Sequence, residues 1–258
     1  MAKPETTTSN EKTSLNSVGF ALLRENAWDP AKILEGLKAQ WALEPEAGSV
    51  EQTDTNLLFK LDGDQVILAL MPAPIPNGEA ELCAKNNYFW DQAESVAKAH
   101  VANLLVVVMP HDEDRIRVAK LFTKVMAVVC AQPSVTGIFT TGVVFEPKFY
   151  AGFAEMMKED LFPLFNQIWF GIYPTENGWA GYTYGLENFG KKELEVLPVN
   201  AEPNELRDFL VSVMSYLIDA DVTLKDGETI GFSAEDKHTI TESQGVALPD
   251  LVTLKLSY

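Results

Sequence analysis

The run Leu104 to Met109, LLVVVM, is wholly apolar and lacks any alternation of polar and apolar positions. A run of that length and character reads as a β-strand buried on both faces. The residues ahead of it supply its neighbours. Residues 18–23, VGFALL, form another short apolar strand and begin the folded part of the chain. Asp29 before Pro30 is a helix start, an N-cap followed by proline at the first helical position, and Ile33, Leu34, Leu37 and Trp41 continue it on one face. Strands are expected at about 50–60 and 65–72, parted by Asp62, Gly63 and Asp64, with Pro72, Pro74 and Pro76 ending the second. A helix over about 79–100, with Phe89, Ala93, Val96, Ala97 and His100 on one face, then leads into the apolar run. The order is β-α-β-β-α-β, the ferredoxin-like pattern.

The same order recurs downstream. Residues 110–132 read as a connecting helix, with Asp112 as its cap, Ile116, Ala119, Phe122, Met126 and Val129 as its inner face and Pro133 as its stop. A strand at 137–145, a helix at 147–160 and a strand at 165–173 follow. Residues 179–198 then make a strand-turn-strand: Gly185 to Gly190 supplies the turn, and Glu193, Leu194, Glu195 and Val196 alternate, so that the acids face solvent. A helix at 203–220, a strand at 228–232 and an alternating edge strand at 251–258 complete the chain. The expected architecture is α+β, two ferredoxin-like halves joined by a helix as a pseudo-duplication. Its parts are a polar tail at 1–17, a first half with the connector at 18–132, and a second half at 133–258.

Twenty basic residues against 37 acidic ones give a net charge of -17. Such a charge disfavours nucleic acid and anionic bilayers and favours a basic partner. With 47% hydrophobic residues the chain has ample material for a core. Cys83 and Cys130 are too few for a disulfide framework or a metal cluster and read as structural thiols. The polar amino terminus has no secretory apolar segment, and no run reaches about eighteen apolar residues, so a cytoplasmic protein without membrane contact is expected.

Chemistry is sparse. His100, His111 and His238 lie far apart, without the close pairing of a zinc helix, and no phosphate loop or dinucleotide turn occurs. His111 with Asp112, Glu113 and Asp114 is the nearest approach to a ligand cluster, and it is equally an acidic helix start. No catalytic residue, metal site or cofactor is assigned. Glu193, Glu195, Tyr182 and Tyr184, in and beside the strand-turn-strand, are the candidate binding residues.

Within 183–196, TYGLENFGKKELEV, the chain resembles the bacterial family catalogued as domain of unknown function 4261. The features are Gly185 and Leu186, Phe189 and Gly190, the strand Glu193, Leu194 and Glu195, a helix after Pro203, and a glycine-containing turn at 227–231. The resemblance covers the carboxy-terminal 90 or so residues. It implies an immunity or accessory role beside a bacterial toxin or secretion system and brings no catalytic residues. The leading expectation is therefore a non-enzymatic acidic protein that binds a protein partner, such as a basic toxin domain. The alternatives are an enzyme whose site is assembled from Glu193, Glu195, Asp112 and His111, and a structural subunit of a larger assembly.

Overall fold

In the computed structural model, which describes residues 16–233 and 236–258, the apolar run lies within β5 (Ala102–Met109), the middle strand of a seven-stranded antiparallel sheet. The other elements of this layer are β1 (Ser17–Leu23), α1 (Pro30–Trp41), β2 (Glu51–Gln52), β3 (Asn56–Leu61), β4 (Asp64–Met71), α2 (Glu79–Ala84), α3 (Ala93–Ala99), α4 (Arg115–Val129), β6 (Val135–Thr140) and β7 (Val143–Phe145). The strand order is β2-β3-β4-β5-β1-β6-β7. Helix α1 starts as its sequence dictates, with the Asp29 carboxylate accepting the N–H groups of Ala31 and Lys32. On one face, Leu104, Val106 and Val108 of β5 join Ile33 and Leu37 of α1 and Phe122, Val125 and Met126 of α4 in the largest apolar core. Helices α2 and α3 cover the opposite face only over β1, β6 and β7, through Leu22, Phe139 and Val144.

The second sheet contains β8 (Trp169–Thr175), β9 (Gly178–Tyr184), β10 (Leu194–Val199), β11 (Thr229–Ile230), β12 (His238–Gln244) and β13 (Val252–Leu256), in the order β11-β12-β13-β10-β9-β8. It is mixed, because β10 and β13 run parallel while the other pairs are antiparallel. Helix α7 (Pro203–Asp219) buries the predicted stripe Leu206, Leu210, Val213, Met214 and Leu217 against Phe170, Leu194, Val196 and Leu254. Between the sheets come α5 (Pro147–Ala154) and the single-turn α6 (Leu164–Gln167). Gln167 of α6 donates to Thr123 Oγ1 at 2.7 Å and to the Ala119 carbonyl at 3.3 Å. Helix α4 therefore serves both layers: Phe122 and Val125 lie in the first core and Ala119 in the second.

The α+β class holds, but the ferredoxin-like duplication is not reproduced. In a ferredoxin-like unit the third and fourth strands are split by the first. Here β4 and β5 pair directly, and β1 lies beyond β5. The strand expected to open the second half is the hairpin β6–β7, turned by Thr141 and Gly142 at positive φ (48° and 67°), and it belongs to the first sheet through β1. The carboxy-terminal strand is not an edge: β13 sits between β10 and β12, and β12 has no counterpart in the sequence expectations. The strand expected at 228–232 shrinks to β11, and that at 165–173 begins as α6 before becoming β8. The start of the long helix shifts as well, since Asp114, not Asp112, caps α4 by accepting the Arg117 N–H at 2.9 Å. The polar tail falls outside the described residues up to position 15, and Ser17 already belongs to β1.

The helix expected over 79–100 breaks into α2 and α3. The side chains of Asn86 and Asn87 bond the carbonyls of Gly142 and Val144, Asn87 also caps the Phe89 N–H, and the Tyr88 hydroxyl reaches the Phe170 carbonyl at 2.7 Å. Asn side chains that bond the backbone in this way compete with helix continuation. A helix of twenty-odd residues would have crossed much of the sheet; two helices of six and seven residues do not.

Candidate docking surface

Among the described residues, that shortfall leaves half of the first sheet without a covering helix. Strand registers bring Leu58, Ile67, Val107 and Val18 into one row across β3, β4, β5 and β1, and Ala69, Leu105 and Phe20 into the next. Cross-strand partners point to the same side of a sheet. The inward neighbours Leu57, Val66, Leu68, Val106 and Val108 are fully buried, whereas Leu58, Ile67, Ala69, Leu105 and Val107 are half-buried and Val18 is 47% exposed. Met109 and Met71 extend the face at opposite ends and are exposed. Leu58, Ile67, Leu105 and Val107 neither belong to nor pack on any of the three apolar clusters of the described residues. Four strands at about 4.8 Å spacing make this face roughly 14 Å wide. The row ends at the edge strand β2, where Glu51 stands opposite Leu58. A β5 buried on both faces was the expectation; one face is buried and the other is open.

The candidate binding residues lie in the second sheet, and the two acids are not on a solvated face. Glu193 and Glu195 are each 2% exposed. Glu193 accepts the N–H groups of Gly185 and Leu186, both at 2.7 Å, that of Glu187 at 3.4 Å, and the Thr183 hydroxyl at 2.7 Å. Burial pushes its carboxyl above the usual value, against the pull of these donors. Glu195 accepts the N–H groups of Val246, Ala247 and Leu248 at 3.0–3.2 Å and pairs with Lys255 at 3.2 Å, itself nearly buried. Each carboxylate thus closes a loop whose amides would otherwise be unsatisfied. Alternation of acid and aliphatic residues misled because solvent is not the only partner for a strand carboxylate. Tyr182 is half-buried between the sheets, its ring lying over Gly171, where a Cβ would meet it at 2.0 Å. Tyr184 is 40% exposed and lies against Gly142, so it alone of the four presents a large surface to solvent.

Nor does the structure assemble the alternative acid site. His111 and Asp112 follow β5, and neither hydrogen-bonds or pairs with Glu193 or Glu195: His111 bonds the fully buried Asp64, and Asp112 pairs with Arg117 at 2.7 Å. Asp64 accepts the His111 ring Nδ1 at 2.7 Å and the His111 N–H at 3.0 Å, and it forms a two-point ion pair with Arg117. Burial alone would raise the Asp64 carboxyl, but Arg117 and His111 outweigh it and hold the group below its ordinary value. The other ring nitrogen of His111 faces a second carboxylate, Asp112, at 3.4 Å. Among the described residues no hydroxyl or thiol hydrogen-bonds this imidazole, so the cluster lacks the nucleophile that an aspartate-histidine pair would activate. It anchors the β3–β4 turn to the start of α4.

Residues 182–257 match the model of a family described as Domain of unknown function (DUF4261). No curated protein and no solved structure matches the chain. The matched span holds Glu193, Glu195 and both loops that they close, and it leaves out β8 and the whole first sheet. No helix among the described residues is long and apolar enough to cross a membrane.

Proposed function

We propose that this is a non-enzymatic binding protein that docks a protein partner on the open face of β3, β4, β5 and β1. The observation that carries the reading is the apolar row Leu58, Ile67, Val107 and Val18, which no helix among the described residues covers. Contiguous apolar surface of this kind is uncommon on a monomer and marks interaction sites. The net charge of -17 complements it by steering a basic protein toward the surface, while apolar contact supplies the affinity. A basic toxin domain, neutralised by occlusion, is the partner that the family resemblance suggests. Tyr184, exposed on the second sheet, offers a further contact for a partner large enough to reach it.

The test is a double substitution, Ile67→Thr with Val107→Thr, which keeps β-branched residues on both strands and should cost roughly 1 kcal/mol or less on a half-exposed face. The partner retained by the wild-type chain at low salt should lose at least tenfold in affinity for the double variant, and its association with wild type should slow as salt is raised. Unchanged affinity in the double variant would refute this face as the docking site.

A further inference from the structure

A second site lies away from the open face, where the 156–165 segment meets the carboxy-terminal half of α7. There a cavity of about 310 Å3 has an apolar floor of Leu164, Phe165, Val211 and Ile218, with Phe162 and Leu161 at its side. Its volume is at the lower end of the range for small-molecule pockets. The mouth is acidic. Asp160 and Asp219 both line it and both are exposed, and Ser215 is the other polar side chain in the wall. Asp219 has no ion-pair partner among the described residues, and it stands in the last turn of a helix that has no basic residue there. The carbonyl end of a helix carries partial negative charge, so Asp219 adds to that potential and does not offset it. The cations near this region are Lys120, which pairs with Asp160 at 3.4 Å, Lys124, whose ammonium interacts with the same carboxylate, and Lys191, which pairs with Asp221 at 2.9 Å and bonds the Val222 carbonyl just past the helix; none of them pairs with Asp219.

We infer that this cavity binds a small lipophilic cation, a compound with an aromatic or aliphatic body of about ten heavy atoms and one ammonium group. The body would fill the floor between Phe165 and Val211, and the ammonium would meet Asp219 at the rim. An anion of the same shape would face the unpaired Asp219 at the helix end, and should be rejected.

Phenethylammonium, phenethyl alcohol and phenylacetate serve as cationic, neutral and anionic probes of closely similar size, titrated into the full chain with amide chemical shifts as the readout. The cation should bind at least tenfold tighter than the anion, with shifts confined to residues 156–165 and 211–219. Asp219→Asn, at an exposed position, should weaken the cation several-fold and leave the alcohol unchanged. Val211→Trp should fill the floor and abolish the binding of both. Equal binding of cation and anion, shifts elsewhere in the chain, or an Asp219→Asn variant that binds the cation like wild type would each overturn the assignment. The partner-docking variants lie on the other sheet, so a failure here leaves that reading standing, and the reverse.

Discussion

Glu195 and Lys255 form a pair in which both side chains are almost wholly buried, and the same carboxylate holds three consecutive amides of the 246–248 loop. Removing one member of a buried pair leaves the other charged and unsolvated, which costs about 3–5 kcal/mol. Glu195→Ala should therefore lose stability on that scale in urea denaturation. Glu187→Ala, whose side chain is exposed, should change it by about 0.5 kcal/mol or less. Asp64 gives a pH dependence of defined sign. Its folded carboxyl titrates below its ordinary value, so its stabilising contribution is complete above the unfolded value near about 3.9 and disappears as pH falls through the folded value. The stability gap between wild type and Asp64→Asn should accordingly be widest near neutral pH and shrink below about pH 4. A gap that stays constant down to the acid limit would show that the Arg117 pairing contributes nothing through charge. These partners were illegible in the sequence for a plain reason: Asp64 and Arg117 are 53 positions apart, and Glu195 and Val246 are 51 apart. The Glu-Leu-Glu alternation itself was legible, and it fixed a strand without fixing what each face meets.

At the scale of elements, local signals worked where local forces decide. The Asp29–Pro30 start, the α7 stripe and the Gly185–Gly190 turn all stand, since capping, helical periodicity and positive φ are set within a few residues. The long helix over 79–100 did not form because Asn86, Asn87 and Tyr88 find better partners in β7, in its turn and in β8, none of which is near in sequence. The open sheet face follows from that break, which is why Val107, in the run read as buried on both faces, lies on it. The two turn glycines separate strain from crowding. Gly190 has φ 69° and open surroundings, the nearest atoms being the Arg115 side chain at 3.9 Å. Gly185 has φ 122°, and a Cβ there would stand 2.4 Å from the Gln167 carbonyl oxygen. Gly190→Ala should cost about 1 kcal/mol for the left-handed backbone alone. Gly185→Ala should cost about 3 kcal/mol or more, because backbone of the α6–β8 junction must also move. Equal melting temperatures for the two variants would mean that this junction yields freely.

The whole molecule is held by contacts that cross between its two sheets, and these bear on whether the family-matched part can stand alone. Trp169, the first residue of β8, is buried in the first core beside Phe145 and Tyr150, and Tyr88 from the first layer bonds the next carbonyl along β8. Helix α4 has Phe122 in one core and Ala119 in the other, and its Arg115 reaches the Asn188 carbonyl in the turn before β10. Neither sheet can open without exposing apolar surface of the other, so the chain should unfold in a single transition, with far-UV dichroism and tryptophan fluorescence coinciding. A fragment of residues 182–257 loses more than its neighbours. It loses all of β8 and residues 178–181 of β9, which pair with β8 and β10, so it would have an unpaired sheet edge in water. Such a fragment should melt without cooperativity. Extending it to 164–258 restores β8 but leaves Trp169 and Tyr182 uncovered, so it should bind a hydrophobic dye at that surface. A sharp, dye-free melt for 182–257 would show instead that α7 and the carboxylate-closed loops suffice, and that the first sheet is a separate folding unit.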